Sequence, residues 1–369
     1  MPDLQASPIR EILSVIDRQG MVSFAGGLPA PDSFPELAAS VPASYLQYGA
    51  TEGEPELRAM LAEQLGDLGL RCTPEQILVL SGSQQGIDLV AKLFIDQGTR
   101  VAVESPTYLA VLQVFRFFGA QLQAFAPQSL RATVSACEVP ALLYAIPTFQ
   151  NPTGYCYSTA ERTEVAAVCD AYDIPLFEDD PYRDLFYEPC DRQPICARLQ
   201  RASWIYQGSF SKSLAPGLRL GFMAASVDLI PYIARLKQAA DLHSSRISQF
   251  LVLEQLRRPD RAAQLVRLAE AYRDKRDKFA ALLARHFGEL ASWEIPVGGL
   301  FFWLRLHREI DTRKLLPEAI QQGVAFMPGE AFYPQTPAGG TLRLNFSHAD
   351  AEAADRGLAK LAEIVRRAG

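Results

Sequence analysis

The stretch GSFSKSLAPGLRLGF, residues 208–222, places Lys212 among small hydroxyl residues, with a Pro-Gly pair and Arg219 close behind it. A strand-like apolar run at 204–206 precedes the lysine, and a second apolar run at 218–225 follows it. We therefore expect Lys212 to lie near the core, where an unpaired ammonium group is costly. Either another group pairs with its charge, or the amine acts as a neutral nucleophile.

Short apolar runs alternate with helix-like stretches on both sides of this segment. The predicted strands cover 77–80, 100–104, 141–146, 174–178, 204–207 and 219–225. Their apolar residues are unbroken rather than alternating, which is typical of strands that helices cover on both faces. Between the first two strands, Ile87, Val90, Ala91 and Phe94 share one face of a helix. The pattern predicts an α/β fold with a mostly parallel sheet.

Length and composition are those of a globular protein with more than one domain. The chain has 369 residues, more than one ordinary core needs. Its net charge of −6 offers no basic field for nucleic acid or anionic membrane. No apolar run approaches the ~20 residues of a membrane span, and the charged N-terminus lacks the apolar centre of a signal peptide. The six cysteines contain no C-x-x-C pair. We expect a cytoplasmic enzyme or binding protein that binds neither nucleic acid nor membrane.

A change in texture after residue 250 predicts a second, smaller domain. Residues 260–288 form one long, charged, amphipathic stretch, which predicts a connecting helix. Strand-like runs at 298–306 and 341–347, a helix ending at Gly323 and a closing helix suit an α+β domain. We predict an N-terminal arm with part of the small domain (1–39), a large α/β domain (40–275) and a C-terminal small domain (276–369).

Polar residues follow five of the predicted strands, directly where each strand ends. These clusters lie at 81–86, 105–108, 147–154, 179–182 and 208–212. In doubly wound sheets, ligands bind beyond the carboxyl ends of the strands. We therefore expect the five clusters to meet at one rim.

The residue types at this rim suit an anion-binding site, and one of them, Asp179, is a candidate buried carboxylate. Free N–H groups at a helix start near Ser83 attract an anion, and Arg219, Ser209 and Ser211 add further donors. The segment SGSQQG at 81–86 matches no nucleotide-binding motif, and by itself it also fits a simple helix cap. Asp179 is either a buried carboxylate that needs a cation or a plain cap.

Pyridoxal phosphate fits all of these groups together. Its aldehyde would react with Lys212, its pyridine nitrogen would pair with Asp179, and its phosphate would bind the serines and Arg219. Asn151 and Tyr182 would bond to the ring hydroxyl, and Tyr108 would stack on the ring. The order of these residues along the chain supports this hypothesis more strongly than any single residue does.

The sequence resembles the fold type I pyridoxal-phosphate aminotransferases of class I/II over essentially the whole chain. The matching segments are SFAGGLPAPDSFP, LQYGATEGEPELR, LSGSQQGIDLVAKLF, ESPTY, FQNPTG, EDDPYRDL, GSFSKSLAPGLRLGF, PVGGLFFW and LRLNFS. Within that family it is most similar to the 2-aminoadipate aminotransferase branch and to the aminotransferase-like half of MocR-type regulators. Between 128 and 141 the chain is shorter than is usual there, which predicts a shortened peripheral crossover.

The resemblance implies a role for each matching position. Lys212 would bond to the cofactor and shuttle protons, assisted by Asp179 and Tyr182. The implied cofactor-binding residues are Ser83, Gln84, Tyr108, Asn151, Asp179, Tyr182, Ser209, Ser211, Lys212 and Arg219, with Tyr48 reaching the phosphate from the partner subunit of a homodimer. The implied substrate-binding residues are Arg343 for the α-carboxylate, Asn151, Gly27, and Arg10 for a side-chain carboxylate. No metal is implied.

The resemblance also implies a ping-pong transamination through pyridoxamine phosphate. The amino donor would be 2-aminoadipate, glutamate, leucine or an aromatic amino acid, and the acceptor a 2-oxo acid such as 2-oxoglutarate. A lyase or decarboxylase would use the same cofactor residues and stays an alternative. A MocR-like effector sensor is a second alternative, although SFAGGLPAPDSFP begins at residue 23 and leaves no room for a DNA-binding domain before it. A phosphosugar-binding enzyme would explain neither Asp179 nor Lys212.

Overall fold

The computed structural model describes residues 20–38, 40–136, 138–335, 337 and 339–368. The strands, in chain order, are β1 (Val22–Ser23), β2 (Ile77–Leu80), β3 (Arg100–Glu104), β4 (Gln121–Phe125), β5 (Leu142–Ala145), β6 (Leu176–Asp180), β7 (Trp204–Ser209), β8 (Gly221–Ala225), β9 (Ala291–Ser292), β10 (Phe301–Leu306), β11 (Val324–Ala325), β12 (Met327–Pro328) and β13 (Thr341–Asn345). The α-helices are α1 (Pro55–Asp67), α2 (Ser83–Phe94), α3 (Leu109–Phe117), α4 (Leu130–Ala136), α5 (Thr159–Tyr172), α6 (Ile230–Asp241), α7 (Arg246–Leu256), α8 (Arg261–Phe287), α9 (Leu316–Gln321) and α10 (Ala351–Arg367).

A seven-stranded sheet with the order β2-β8-β7-β6-β5-β3-β4 forms the centre of the molecule. Strand β8 runs antiparallel to both of its neighbours, and all other neighbouring pairs are parallel. Strands β2 and β5 are buried along their full length, as their unbroken apolar runs require, and β6 is also buried although it ends in Glu178, Asp179 and Asp180. The predicted α/β class with a mostly parallel sheet is confirmed.

The edge strand β4 was missed by the sequence prediction. Its sequence, QLQAF, alternates polar and apolar residues, and four of its five residues are partly or fully exposed. An edge strand has a partner on one side only, so it needs less apolar surface than a central strand. The short crossover after it still holds a helix, the seven-residue α4.

Strands β6 and β7 extend further than predicted. β6 continues through Asp179 and Asp180, and β7 continues through Ser209. Asp179 lies opposite Gln207 in the register of these two strands. The two acidic residues therefore belong to the buried end of β6 rather than to the loop after it.

A second sheet, with the antiparallel order β12-β13-β10-β9, lies in the C-terminal part of the chain. Apolar residues of helices α8 and α10 pack with it in one cluster that includes Phe279, Phe302 and Leu358. Strand β1 of the N-terminal arm pairs with β11 in parallel. Helix α8 runs through the predicted boundary between residues 275 and 276, and the three-part division stays a prediction.

None of the helices in the described residues is long and apolar enough to cross a membrane.

Candidate active site

The carboxyl ends of β5, β6 and β7 and the first turn of α2 meet at one cavity of about 330 Å³. The predicted residues that line it are Gly27, Ser83, Gln84, Tyr108, Asn151, Asp179, Tyr182, Ser209, Ser211, Lys212, Arg219 and Arg343. Two other cavities are larger, at about 360 and 510 Å³, but neither is lined by Lys212 or Asp179. The chemistry-bearing residues therefore identify the site better than cavity size does.

Two predicted residues are not among those that the structure places at this cavity, for different reasons. Tyr48 lies outside it and is 76% exposed. Arg10 lies outside the described residues. Sequence reasoning missed other lining residues, among them Leu28, Ile146 and Phe301. These are apolar and do not stand out from core residues in the sequence, because only their position in the fold brings them to the cavity.

Lys212 points into the cavity and donates a hydrogen bond from Nζ to the backbone oxygen of Gly27, at 2.6 Å. Burial lowers the pKa of the Lys212 ammonium group to about 8, with smaller contributions from the charges of Arg343 and Arg219. A side chain at Gly27 would crowd Phe301 at 3.2 Å and approach Lys212 Nζ at 3.8 Å. The N-terminal arm thus holds an amine that loses its proton far more easily than an exposed lysine.

Asp179 is 3% exposed and accepts hydrogen bonds from Tyr144 Oη at 2.8 Å and Gln207 Nε2 at 3.0 Å. Burial raises the pKa of its carboxyl group to about 6, while these two donors oppose the rise. Both donors are neutral, so neither balances the charge of the carboxylate. A protonated ring nitrogen would supply the missing positive charge. Sequence reasoning missed Tyr144 and Gln207, although the strand register places Gln207 beside Asp179.

An anion cradle lies at the first turn of α2. The turn before the helix depends on Gly82, whose φ of 83° favours glycine and where a Cβ atom would lie 2.8 Å from Arg219 Nη2. A Cβ at Gly221 would lie 3.1 Å from the backbone nitrogen of Ser83. The backbone nitrogen of Ser211 donates to Ser209 Oγ at 3.2 Å. Bare backbone, the guanidinium group and the hydroxyls leave a space that suits a phosphate.

Arg343 is 3% exposed and forms no ion pair with any side chain in the described part of the molecule. It donates to Asn151 Oδ1 at 2.7 Å and to the backbone oxygen of Ala25 at 2.5 Å, while its Nε has no hydrogen-bond partner among the described residues. The guanidinium carbon lies 4.1 Å from the centre of the Phe301 ring. Burial lowers the pKa of Arg343 to about 10. A buried cation with a free donor is ready to bind a carboxylate.

Two tyrosines complete the walls of the cavity. Tyr108 directly precedes helix α3, and burial raises the pKa of its hydroxyl group. Tyr182 lines the cavity with Asn151, and its ring packs edge-on against Phe301 at a centroid distance of 5.7 Å. The aromatic rings, the amide of Asn151 and the carboxylate of Asp179 therefore face one flat space.

Comparison with known families agrees with this geometry. The model of the family described as aminotransferase class I and II matches residues 29–361. The chain belongs to this family. It is a pyridoxal-phosphate-dependent aminotransferase with the fold of that family, as its resemblance implied.

Named relatives of this aminotransferase cover nearly its whole length. It is 35% identical over 382 residues to the 2-aminoadipate transaminase of Thermus thermophilus, covering 98% of this chain and 94% of that protein. It is 34% identical over 384 residues to aromatic-amino-acid aminotransferase 1 of Thermococcus litoralis, covering 98% and 92%. The crystal structure of the alpha-aminoadipate aminotransferase from Thermus thermophilus, complexed with N-(5'-phosphopyridoxyl)-L-leucine, matches with a TM-score of 0.91 at 34% identity, covering 99% of this chain and 96% of that one.

Proposed function

We propose that this aminotransferase moves the amino group of an α-amino acid with a long or bulky side chain to a 2-oxo acid such as 2-oxoglutarate. The candidate donors are 2-aminoadipate, glutamate, leucine and aromatic amino acids. The names of the relatives support this substrate class. The observation that carries the proposal is one cavity in which Lys212, Asp179 and Arg343 all face the same space. A biosynthetic role and a cytoplasmic location stay predictions.

The same cavity supports specific roles in cofactor binding. The proposed phosphate ligands are Ser83, Gln84, Ser209, Ser211 and Arg219, and the proposed ring contacts are Tyr108, Asn151, Asp179 and Tyr182. When bound, the cofactor supplies an aldehyde and a ring that withdraws electrons from the reacting carbon. The charge of Asp179 favours a protonated ring nitrogen, because the described residues pair no cation with the buried carboxylate.

Lys212 is the proposed base. Its Nζ would remove the α-proton of the amino acid and later return a proton. A pKa near 8 leaves a useful fraction of the amine neutral close to neutral pH, which an ordinary lysine does not offer. Asp179 would assist by pairing with the ring nitrogen of the cofactor, and Tyr182 by hydrogen-bonding to the ring hydroxyl.

Arg343 is the proposed anchor for the substrate. Its guanidinium group would bind the α-carboxylate through two donors, and Asn151, which already holds Arg343 Nη1, would fix its orientation. Gly27 and the neighbouring Leu28 would border the substrate, with the apolar arm tolerating large side chains. Whether Arg10 binds a side-chain carboxylate stays a prediction, since it lies outside the described residues.

We propose a homodimer in which Tyr48 reaches the phosphate of the partner subunit. Arg246 at the start of α7 donates to the backbone oxygens of Ser44 at 2.7 Å and Gln47 at 3.1 Å, which fixes this segment. Large apolar side chains remain exposed on it and on the neighbouring segment: Leu46, Tyr48, Leu242 and Ile247. A second copy of the chain would cover them.

Absorbance spectroscopy tests the proposed function directly. Purified protein saturated with pyridoxal phosphate should have a visible band, and each true donor should convert it to the near-ultraviolet band of pyridoxamine phosphate. Lys212→Ala should lose covalent retention of the cofactor, whereas the exposed Lys278→Ala should keep it. A band that no amino acid converts, together with release of a decarboxylated or cleaved product, would instead support the lyase alternative.

A further inference from the structure

Two cysteine residues, Cys156 and Cys190, come close to each other from different loops and pack against the same apolar cluster. Cys156 lies between β5 and α5, and Cys190 lies between β6 and β7. Both thiols are free and partly exposed. Cys156 Sγ also lies 3.5 Å from the backbone oxygen of Asp191, the residue after Cys190. Transamination requires neither thiol, so their contact calls for a separate explanation.

A buried arginine makes Cys156 the more reactive member of the pair. Arg162 Nη2 donates to Cys156 Sγ at 3.6 Å and is held by the backbone oxygen of Pro147 at 2.9 Å and by Thr148 Oγ1 at 3.0 Å. The neighbouring Cys190 thiol and the charge of Arg162 lower the pKa of the Cys156 thiol to about 7, although burial opposes this. Sharing the proton raises the pKa of Cys190. Thiolates are the reactive form of cysteine, so Cys156 is the attacking group.

We propose that Cys156 and Cys190 are a redox-active pair whose reversible disulfide restrains the loop that carries Asn151. The oxidant is a peroxide. The Cys156 thiolate attacks one peroxide oxygen, so that an S–O bond forms, the O–O bond breaks and the leaving hydroxide is protonated to water. Cys190 then attacks the Cys156 sulfur, an S–S bond replaces the S–O bond, and the second oxygen leaves as water with the Cys190 proton. Two thiols lose two electrons in total, and one peroxide gains them.

The cross-link would join two segments that border the active site. In the first, Tyr157 N donates to Pro147 O and Gln150 N donates to Tyr155 O, both at 2.8 Å, so the loop from 147 to 157 is closed on itself around Asn151. In the second, Arg183 Nε donates to Asp180 Oδ2 at 2.6 Å, directly beside Asp179. A displacement transmitted to Asn151 would misplace Arg343, which Asn151 holds.

Peptide mapping of the oxidised holoenzyme tests this proposal. The holoenzyme is treated with hydrogen peroxide, free thiols are alkylated, and the protein is digested without reductant. Trypsin leaves Cys137 and Cys156 in one peptide, residues 132–162, so chymotrypsin is added to cut beside the tyrosines between them. We expect a peptide pair linked through Cys156 and Cys190 that dithiothreitol separates. Turnover should fall by between about 2-fold and 100-fold on oxidation and recover with dithiothreitol.

Two variants make the test specific. Cys190→Ser should form no such link, should accumulate a Cys156 sulfenic acid that dimedone traps, and should lose the reversible change in turnover. Cys72→Ser, which removes a partly exposed thiol elsewhere, should behave as the wild type. If the oxidised wild type contains no Cys156–Cys190 disulfide, the proposal of a redox-active pair is wrong. This result does not depend on whether any variant folds. If the disulfide forms but turnover is unchanged, the proposal that it restrains the loop carrying Asn151 is wrong.

Discussion

Arg343 and Lys212 are both basic and lie in one cavity, yet they differ in how readily they lose a proton. Arg343 keeps its charge, because even a lowered pKa of about 10 leaves it protonated at neutral pH. Lys212, with a pKa near 8, is poised to lose its proton, partly because of the charge of Arg343. One residue is therefore suited to bind an anion and the other to accept a proton.

Arg343→Gln should lower kcat/KM for amino acids by about 30- to 1000-fold, because the α-carboxylate loses a buried, charge-assisted partner. The kcat/KM of Arg343→Lys should lie between those of Arg343→Gln and the wild type, since lysine keeps the positive charge but cannot form the bidentate hydrogen bonds of a guanidinium group. Steady-state kinetics measure both. Arg305→Gln is the control, because Arg305 is exposed on β10 and outside the cavity. Unchanged kcat/KM in Arg343→Gln would refute the proposed role.

Glu104 is a buried acid at the end of β3 whose ionisation should affect stability. It accepts from Tyr157 Oη at 2.6 Å and from the backbone nitrogen of Ile146 at 2.9 Å. Burial nevertheless raises the pKa of its carboxyl group from 4.5 to about 7. The folded state thus binds more protons than the unfolded state between these values. Its contribution to stability is therefore full below pH 4.5 and is lost as the pH rises through 7.

Glu104→Gln should remove this loss, which corresponds to about 3 kcal/mol. We expect the unfolding free energy of the variant to change less between pH 4.5 and 7.5 than that of the wild type, as measured by urea denaturation. Glu164→Gln, at an exposed position, is the control and should keep the wild-type pH dependence. A wild-type slope in Glu104→Gln would mean that Glu104 does not titrate in this range.

Helix α2 depends on the absence of a side chain where it crosses the sheet. A Cβ at Gly86 would lie 1.8 Å from Gln207 Oε1 and 2.9 Å from Leu80 Cδ1. Gln207 is fully buried and donates to Asp179, so it cannot move away without breaking that bond. The close approach of α2 to β7 and the position of the Asp179 carboxylate are therefore linked.

Gly86→Ala should lower the free energy of unfolding by about 1–3 kcal/mol, because the added methyl group overpacks the interface. It should also weaken cofactor binding, since Gln207 is pushed away from Asp179. Gly66→Ala is a matched helical control in α1 with no atom of the described residues within 4 Å of the added carbon, and it should be neutral or stabilising by about 0.5–1 kcal/mol. Denaturation curves and cofactor titrations measure the two effects. A Gly86→Ala protein as stable as the wild type would contradict the close contact.

At the scale of the whole molecule, the proposed dimer makes each site depend on two chains. Tyr48→Phe should weaken binding of pyridoxal phosphate by about 10- to 100-fold, because one hydrogen bond to a charged group is lost. In a hybrid of a Tyr48→Phe chain with a Lys212→Ala chain, one site contains both Lys212 and the partner's intact tyrosine. That site should bind and turn over as in the wild type.

The control hybrid pairs Lys212→Ala with Tyr232→Phe, a substitution at an exposed tyrosine on α6. Its active site should match the wild type, as should each Tyr232→Phe homodimer. If Tyr48 acted within its own chain, the first hybrid would bind the cofactor as weakly as the Tyr48→Phe homodimer. Light scattering on the purified protein measures the oligomeric state independently.

Apolar patterning alone predicted the central strands and the polar clusters that follow them, whereas Gly27 and Arg343 were implied only by the family resemblance. Unbroken apolar runs report burial on both faces, and polar residues directly after them must lie at the same rim of a parallel sheet. This is why Lys212, Asp179 and Asn151 were predicted to lie at one site. In the structure all three line the same cavity. The edge strand β4 escaped prediction, because a half-exposed strand carries a weaker pattern.

The amino-acid sequence by itself determined the α/β class and the set of groups that can hold a phosphate, a ring and a carboxylate. Only the tertiary structure decided which distant groups touch: Lys212 with Gly27, Arg343 with Asn151, and Cys156 with Asp191, the residue after Cys190. A short stretch of sequence indicates the backbone conformation and the burial of its own residues. Contacts between separate segments depend on how helices and strands pack, and no short pattern records that packing.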